Sequence, residues 1–152
     1  MAQRQFGSVH VNLVGPLPPY KAGLRYLLMV VDRYSRWPEA LPLQDVMAVS
    51  CCRAFLRDWI SRYGILDELI TDRGAQFTGS SWMEFFTKMG VSMHKTTAYH
   101  PQSNDLVERM HRQLKAALKA RLSDHDWIDK LPIVLLGLRS SWKEFPCFRQ
   151  VR

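Results

Sequence analysis

The sequence predicts one α/β domain in which helices flank a mixed β-sheet. A chain of 152 residues suits a single compact domain, and 47% hydrophobic residues are enough to form a core. The apolar pattern indicates three consecutive strands, followed by helices that alternate with further strands. Strands that can pair as a meander, and then strands separated by helices, predict both antiparallel and parallel neighbours in one sheet.

The first three predicted strands differ in how their apolar residues are arranged. Residues 8–14 alternate and stop at a Gly-Pro pair, which is typical of a strand that ends in a turn. Residues 25–31 form an unbroken apolar run, as expected of a buried central strand. Residues 36–43 contain two prolines, which cannot donate to a β-ladder, so we expect this strand at an edge of the sheet.

The middle of the chain alternates between helix and strand. Residues 45–63 have apolar side chains at helical spacing, and the aspartate at their start is expected to cap the helix. Residues 67–72 then read as a short strand that runs into an Arg-Gly turn. Ser81 and Glu84 have the spacing of a capping box, which predicts a short helix beginning there.

The last third of the chain is predicted to be mostly helical. A strand over 91–97 precedes a loop and a long helix over about 103–122. A further helical stretch covers about 125–143, and we expect it to bend or restart at Pro132.

The charge of the chain indicates an anionic partner. Lys and Arg number 21 against 14 Asp and Glu, which gives a formal charge of +7. Nucleic acid is the commonest partner of such a surface, although a well-solvated basic surface is the alternative. An odd cysteine count without regular spacing, and no apolar run of the ~18 residues that span a bilayer, favour a nuclear or cytoplasmic protein with no membrane partner.

Two acidic residues lie where chemistry is expected. Asp72 ends a short strand, and functional groups of α/β sheets gather at the carboxyl ends of strands. Glu108 lies one turn into the long helix, with residues 73–107 between the two acids. Paired carboxylates are suitable ligands for Mg²⁺ or Mn²⁺. Each acid taken singly is more simply an ordinary cap or surface residue.

The long helix presents two different faces. One face is apolar and is expected to pack on the sheet, with Val107, Met110, Leu114, Ala117 and Leu118. The other face carries a carboxylate followed by cations, with Glu108, Arg112, Lys115 and Lys119. Such a row could hold the phosphate backbone of a nucleic acid, or it could be a solvated face with an ion pair between positions 108 and 112.

Three strings of residues resemble a known family. VDRYSRWPEA, ITDRGAQF and TAYHPQSNDLVERMHRQLK are similar to the integrase catalytic core of gypsy-like long-terminal-repeat retrotransposons and of retroviruses. The resemblance assigns residues 4–144 to the core and leaves 145–152 as a divergent or truncated tail. It implies an RNase H-like fold, with a five-stranded mixed sheet flanked by helices.

The resemblance also implies a catalytic site. The family uses two Asp and one Glu to hold two Mg²⁺ or Mn²⁺ ions for attack on a phosphodiester. The second Asp and the Glu correspond to Asp72 and Glu108. The first Asp belongs to a pattern like HVDLVGP, whereas this chain reads HVNLVGP and has Asn12 at that position.

The resemblance further implies contacts with DNA. Residues of the loop before the long helix would lie against a DNA end, and cations of the helix would hold phosphates. These residues are Tyr99, Gln102, Ser103, Asn104, Arg112 and Lys115, with Lys119 continuing the basic stripe. Family cores pair through helices, so a homodimer is expected. A small-molecule substrate is not expected.

Asn12 is the most consequential departure from the family pattern. An amide has one neutral carbonyl oxygen and two N–H donors, so it cannot bridge two cations as a carboxylate does. Its loss of charge should cost roughly a thousandfold or more in rate. Asp32 is not expected to substitute, because it lies in the turn after the second strand. Asp105, where the family usually has Gly, lies close enough in sequence to Glu108 to raise the pKa of that carboxyl.

Three functions remain open at this point. The chain is either a polynucleotidyl transferase domain for DNA integration with impaired catalysis, or a catalytically dead integrase-derived module that binds nucleic acid or protein. An RNase H-type nuclease is the weakest candidate, because fold alone permits it while the motifs favour integrase. These departures together predict a degenerate copy of a transposable element.

Overall fold

The positions of five strands define the structure. A computed structural model of the chain describes residues 4–19, 23–71, 74–95, 109, 112–113, 115–122, 124 and 126–141. The strands are β1 (Ser8–Val14), β2 (Tyr26–Asp32), β3 (Pro38–Leu43), β4 (Glu68–Thr71) and β5 (Ser92–Lys95). They form a single sheet in the order β3-β2-β1-β4-β5.

The sheet is mixed, as the sequence predicts. β1 pairs antiparallel with β2, and β2 pairs antiparallel with β3, which makes the expected meander. β1 pairs parallel with β4, and β4 pairs parallel with β5. The two parallel pairs are joined through helices, because a parallel connection needs a crossover. β3, which contains the two prolines, is at an edge of the sheet, so that prediction is confirmed.

The first helical segment differs from its predicted start and buried face. It comprises α1 (Ala48–Phe55), a π-helical stretch (Leu56–Ile60) and α2 (Ser61–Tyr63). Asp45 does not cap it, since its carboxylate accepts a hydrogen bond from the Met47 backbone N–H at 2.9 Å, before the helix begins.

The buried face of this segment also differs from its helical pattern. The apolar residues at helical spacing are Val49, Cys52, Leu56, Trp59 and Tyr63. Of these, Cys52 and Trp59 are buried, but Val49 and Leu56 are 52% and 46% exposed. Cys51 and Phe55, which lie outside that set, are fully buried. The wider π turn changes the residue spacing within the segment, so a strict α-helical pattern does not describe its buried face.

The next helices do not use the predicted capping box. α3 (Ala75–Thr78) is followed almost at once by α4 (Ser80–Lys88), and Gly79 is the N-cap of α4 without any side-chain cap bond. The predicted short helix is therefore present, but the capping box predicted from Ser81 and Glu84 is wrong. α4 begins at Ser80, so Ser81 already lies inside the helix and cannot be its N-cap.

Two hydrophobic cores lie on the two faces of the sheet. The first packs α1, the π-helical stretch and α4 against the sheet, and it includes Val9, Val11, Leu28, Val30, Phe55, Trp59, Trp82 and Phe86. The second packs two later helices against the other face, and it includes Val14, Leu27, Met29, Val31, Leu118, Leu122, Trp127 and Leu131. The predicted flanking of the sheet by helices is confirmed.

The helices of the second core are α5 and α6. Residues 109, 112–113 and 115–121 are helical and constitute the described part of α5. α6 (Trp127–Ser141) is one continuous helix, so the restart predicted at Pro132 does not occur. Buried residues on both sides of Pro132, Leu131 and Leu135, anchor α6 to the core, which compensates for the hydrogen bond that the proline cannot donate.

Two further predictions concern the surface and the ends of the domain. Among the described residues, no helix has the length and hydrophobicity needed to cross a membrane. The boundaries of the core, 4–144, and the divergent segment 145–152 remain predictions, since the description ends at residue 141.

Candidate nucleic-acid and metal site

Asn12 lies in the central strand, on the face of the sheet that α5 covers. Its register partner in β2 is Met29, a member of the second core. Side chains alternate along a strand, and Val14, two residues on, also belongs to that core. Asn12 is half-buried, so it lies at the margin of the packed region.

The side-chain amide of Asn12 has a fixed orientation. Its Oδ1 accepts a hydrogen bond from the backbone N–H of Leu13, with an N···O distance of 2.8 Å. A backbone N–H requires an acceptor, so the oxygen and not the nitrogen of the amide must occupy this position. The Nδ2 group consequently points away from the Leu13 backbone, and it donates no hydrogen bond to any of the described residues.

β4 brings the strand that precedes Asp72 alongside β1. The two strands are parallel neighbours, with Ser8 opposite Glu68 and His10 opposite Ile70. This confirms that the strands carrying Asn12 and leading to Asp72 are adjacent and parallel. Asp72, Glu108 and Asp105 themselves lie outside the described residues, as do the DNA-end residues Tyr99, Gln102, Ser103 and Asn104.

Asp32 is a structural residue, as expected. It is fully buried and ends β2 opposite Val9, on the face of the first core, whereas Asn12 lies on the other face. Its carboxylate accepts hydrogen bonds from the Phe6 N–H at 2.9 Å and from the Ser35 N–H and hydroxyl at 2.9 and 2.6 Å. These bonds hold the turn after β2, so Asp32 cannot replace the missing carboxylate.

His10 is a neighbour of Asn12 that the sequence analysis did not single out. It lies two residues earlier on the same face and is buried, with 3% exposure. Burial, assisted by the positive charge of Arg33, lowers the pKa of His10 to about 4. The imidazole is therefore neutral at pH 7. The alternation of β1, which puts positions 10 and 12 on one face, was the signal that could have identified it.

Glu68 is the nearest described carboxylate on the same strand pair, but it lies at the opposite end. Ser8, its partner in β1, is four residues from Asn12, or about 13 Å along the strand. Its Oε1 accepts a hydrogen bond from the Ser8 hydroxyl at 2.6 Å and lies 3.3 Å from the Arg33 guanidinium. The described residues contain no group of three or more His, Cys, Asp or Glu that could hold a metal ion.

α5 carries a basic surface on its exposed side. Leu118 and Leu122 are fully buried against the sheet, as predicted for Leu118, while Arg112 and Lys119 are exposed and Lys115 is half-buried. Arg109 is exposed on the same helix and extends this surface beyond the predicted stripe, whereas the exposed Arg121 lies on the side of the helix next to Leu118. The term basic face of α5 is used for the residues Arg109, Arg112, Lys115 and Lys119.

Comparison with known proteins identifies the family. Residues 3–101 match the family model described as integrase core domain. The chain belongs to the integrase core domain family. The Gag-Pol polyprotein of Koala retrovirus is 34% identical over 130 residues, which are 84% of this chain and 8% of that protein. The Pol polyprotein of Radiation murine leukemia virus (strain Kaplan) is 34% identical over 78% of this chain and 21% of its own length.

Solved structures show the same fold. The catalytic core domain of BIV integrase aligns with a TM-score of 0.67 and 23% identity over 90% of this chain and 85% of that chain. A chain of the simian T-cell lymphotropic virus intasome, solved in complex with PP2A regulatory subunit B56 gamma, gives the same TM-score at 21% identity over 90% of this chain and 49% of that chain. The predicted RNase H-like integrase fold is thus confirmed. The integrase core spans only 8% of the Koala retrovirus protein that it matches.

Proposed function

We propose that this integrase core is a DNA-binding domain whose polynucleotidyl transferase chemistry is impaired at Asn12. The observation that carries the proposal is the hydrogen bond from the Leu13 N–H to Asn12 Oδ1. It occupies one lone pair of the only oxygen that the residue could offer to a cation. Asp72 and Glu108 are then the two charged ligands that the family pattern leaves.

The residues present do not fit the Mg²⁺ or Mn²⁺ pair expected of the family. Two divalent cations close together need bridging carboxylates to offset their charge. Asn12 contributes no charge, Asp32 is committed on the other face, and Glu68 lies at the other end of the strand pair. We therefore propose weakened metal binding, and we assign no catalytic step to a bound metal.

DNA is the proposed partner because of where the positive charge lies. The formal charge of the chain is +7, and five cations lie along the described turns of α5. The helix covers the same sheet face as Asn12, since Leu118 packs in the second core with Met29. A row of cations on one helix matches the spacing of phosphates along a nucleic-acid backbone. A protein with this partner is proposed to work in the nucleus or the cytoplasm.

The decisive experiment restores the carboxylate. Asn12→Asp is expected to tighten Mg²⁺ binding at least tenfold in calorimetry, because it adds a charged ligand of nearly the same shape. Gln44→Glu, the same chemical change at an exposed position after β3, is the matched control and should leave the affinity unchanged. Cleavage of a branched DNA substrate, measured in parallel, should be weak in the unaltered chain.

Two results would contradict this proposal. Efficient DNA cleavage by the unaltered chain would show that the three-carboxylate requirement does not hold for it. Equal Mg²⁺ affinity of the unaltered chain and the Asn12→Asp variant would place the defect elsewhere, with Asp105 as the next residue to change.

A second candidate function is a module that binds protein through α6. Ile133 and Leu136 are 72% and 60% exposed on this helix, although both are large and apolar. We propose a second copy of the chain as their partner, which makes a homodimer. Ile133→Glu combined with Leu136→Glu should then convert a dimer into a monomer in sedimentation, whereas a chain that is already monomeric at high concentration would contradict the homodimer.

A further inference from the structure

Asn12 presents hydrogen-bond donors where the family pattern has a metal ligand. We propose that its Nδ2 group binds a phosphate oxygen of DNA directly, so that this chain engages DNA at the site without a divalent cation. The inference rests on the proposed DNA-binding function and adds the residue and the chemistry of the contact. It differs from the family scheme in the sign of the ligand, since a carboxylate attracts cations whereas an amide N–H attracts an anion.

The orientation of the amide follows from the backbone. The Leu13 N–H donates at 2.8 Å, and only the carbonyl oxygen of Asn12 can accept it. Rotating the amide by half a turn would place an NH₂ group against an N–H group and lose this bond. The two protons of Nδ2 are therefore directed away from the Leu13 backbone, and neither has an acceptor among the described residues.

Among the described residues of this strand pair, no carboxylate close to Asn12 opposes an anion, since Glu68 lies at the other end. The neighbours of Asn12 on the sheet face include Met29 and Val14, which are apolar and 1% exposed. A hydrogen bond to a charged oxygen is stronger beside such side chains than in water. α5 packs over this face of the sheet and has its basic face on the exposed side, which attracts anions and repels metal cations.

A DNA phosphate satisfies both parts of this surface at once. One phosphate oxygen would accept from Nδ2, while neighbouring phosphates of the same strand would pair with cations of α5. Neutral donors such as side-chain amides are common partners of DNA phosphates, so no unusual chemistry is required. Asp72 and Glu108, which the family pattern assigns to this site, are the competing acceptors for Nδ2 and would oppose the phosphate. The experiments below separate these carboxylates from DNA.

The first experiment measures duplex binding by fluorescence anisotropy in EDTA. The unaltered chain should bind equally well, within about twofold, when EDTA is replaced by Mg²⁺. Asn12→Leu keeps the branched shape and the number of heavy atoms but removes the donors, and it should weaken binding about tenfold, as expected for a hydrogen bond to a charged acceptor. Gln44→Leu removes an amide at an exposed position beside Pro42 and Leu43 and serves as the control, with unchanged affinity.

The variants also distinguish the inference from the function on which it rests. Asn12→Asp should bind DNA more weakly than the unaltered chain in EDTA and recover with Mg²⁺, because a carboxylate repels phosphate unless a cation lies between them. If Lys115→Glu weakens binding while Asn12→Leu does not, the chain binds DNA but the inference is wrong. If the unaltered chain does not bind the duplex at all, the proposed function fails with it.

A second experiment follows the amide itself and measures binding on the unaltered chain. In a chain labelled with ¹⁵N-asparagine, the Nδ2 proton signals of Asn12, assigned by their loss in Asn12→Leu, should shift when a short duplex is added in EDTA. Inorganic phosphate alone should produce a smaller shift of the same sign, since it supplies the acceptor without the contacts to α5. Signals that do not move with duplex or phosphate would show that the amide donates within the chain, and would overturn the inference.

Discussion

Arg139 of α6 binds the edge strand β3 through several contacts, and these contacts allow the loss of stability in an Arg139→Ala variant to be predicted. Its guanidinium donates to Glu39 Oε1 at 2.7 Å and to the Pro38 carbonyl oxygen at 2.6 and 3.1 Å. It also lies 4.1 Å from the centre of the Trp37 ring. The side chains of Arg139 and Glu39 are only 19% and 13% exposed, so the pair is largely shielded from solvent.

The magnitude of Arg139→Ala follows from what it leaves behind. Breaking a buried ion pair by removing one partner costs about 3–5 kcal/mol, and an exposed pair contributes about 0–1 kcal/mol. Glu39 would keep the Tyr63 hydroxyl at 2.8 Å and the Arg62 guanidinium at 3.6 Å, which reduces the cost. The Pro38 carbonyl would lose its donor. We expect a loss of about 2–3 kcal/mol in the free energy of unfolding, and a decrease of roughly 5–10 °C in Tm.

Urea denaturation followed by circular dichroism measures this loss. Arg62→Ala is the matched control, because it removes a cation from the same carboxylate at 3.6 Å, but one whose side chain is 58% exposed. Its cost should stay below about 0.5 kcal/mol. Arg139→Lys keeps the charge but loses the two-pronged geometry, so it should recover about half of the loss. An Arg139→Ala variant as stable as the Arg62→Ala control would refute the reasoning.

Three other predictions test the buried and charged groups around the site. The pKa of His10 is about 4 in the folded chain and 6.5 when exposed, so the free energy of unfolding should decrease by about 3 kcal/mol as the pH falls from above 6.5 to 4. The stability of His10→Gln, measured by denaturation, should not show this dependence on pH. A parent chain equally stable at pH 7 and 4.5 would contradict the prediction. Asp32→Asn should cost about 2–4 kcal/mol in denaturation because the turn donors lose a charged acceptor, whereas an effect on DNA affinity at fixed folded fraction would mean that Asp32 belongs to the site. Lys115→Glu with Lys119→Glu should lower the slope of log affinity against log salt by about two or more, and an unchanged slope would make the basic face of α5 only a solvated surface.

The strands could be predicted well from the sequence because the residues within each strand determine its pattern and its place in the sheet. Residues 8–14 alternate on either side of a central strand, and the observed β1 has the same bounds. β2 is shifted by one residue from its predicted range, since Asp32 pairs with Val9 and closes the strand. The prolines of β3 confine it to an edge, whatever the rest of the fold is.

The helices were predicted less well because their ends and faces depend on tertiary contacts. The local pattern of residues 45–63 does not predict a π-helical stretch. Trp59, which lies in that stretch, packs against Phe6 and Phe55. Similarly, the junction at Gly79 depends on the preceding helix, which has only four residues and no apolar period of its own.

The site depends on information of both kinds. The substitution at Asn12 is visible in the sequence once the motif is recognised, but the hydrogen bond from Leu13 is not, because it requires knowledge of the backbone beside the side chain. In the same way, the sequence suggests that Asp32 cannot substitute by its position in a turn. The structure adds the stronger reason, which is that Asp32 and Asn12 lie on opposite faces of the sheet.

The terminal side-chain group at position 12 determines whether the site binds a cation or an anion. An Asp at this position would present a second, charged oxygen when one accepts from Leu13, whereas Asn presents two protons. The sheet offers no described carboxylate in compensation, because Asp32 is held by its own turn and Glu68 by Ser8 and Arg33. The cations of α5 are unaffected by the exchange, so the affinity of this face for an anion is retained while its affinity for a cation is reduced. An integrase core with Asn at this position is expected to retain DNA binding while catalysis is impaired, since the two properties depend on different residues.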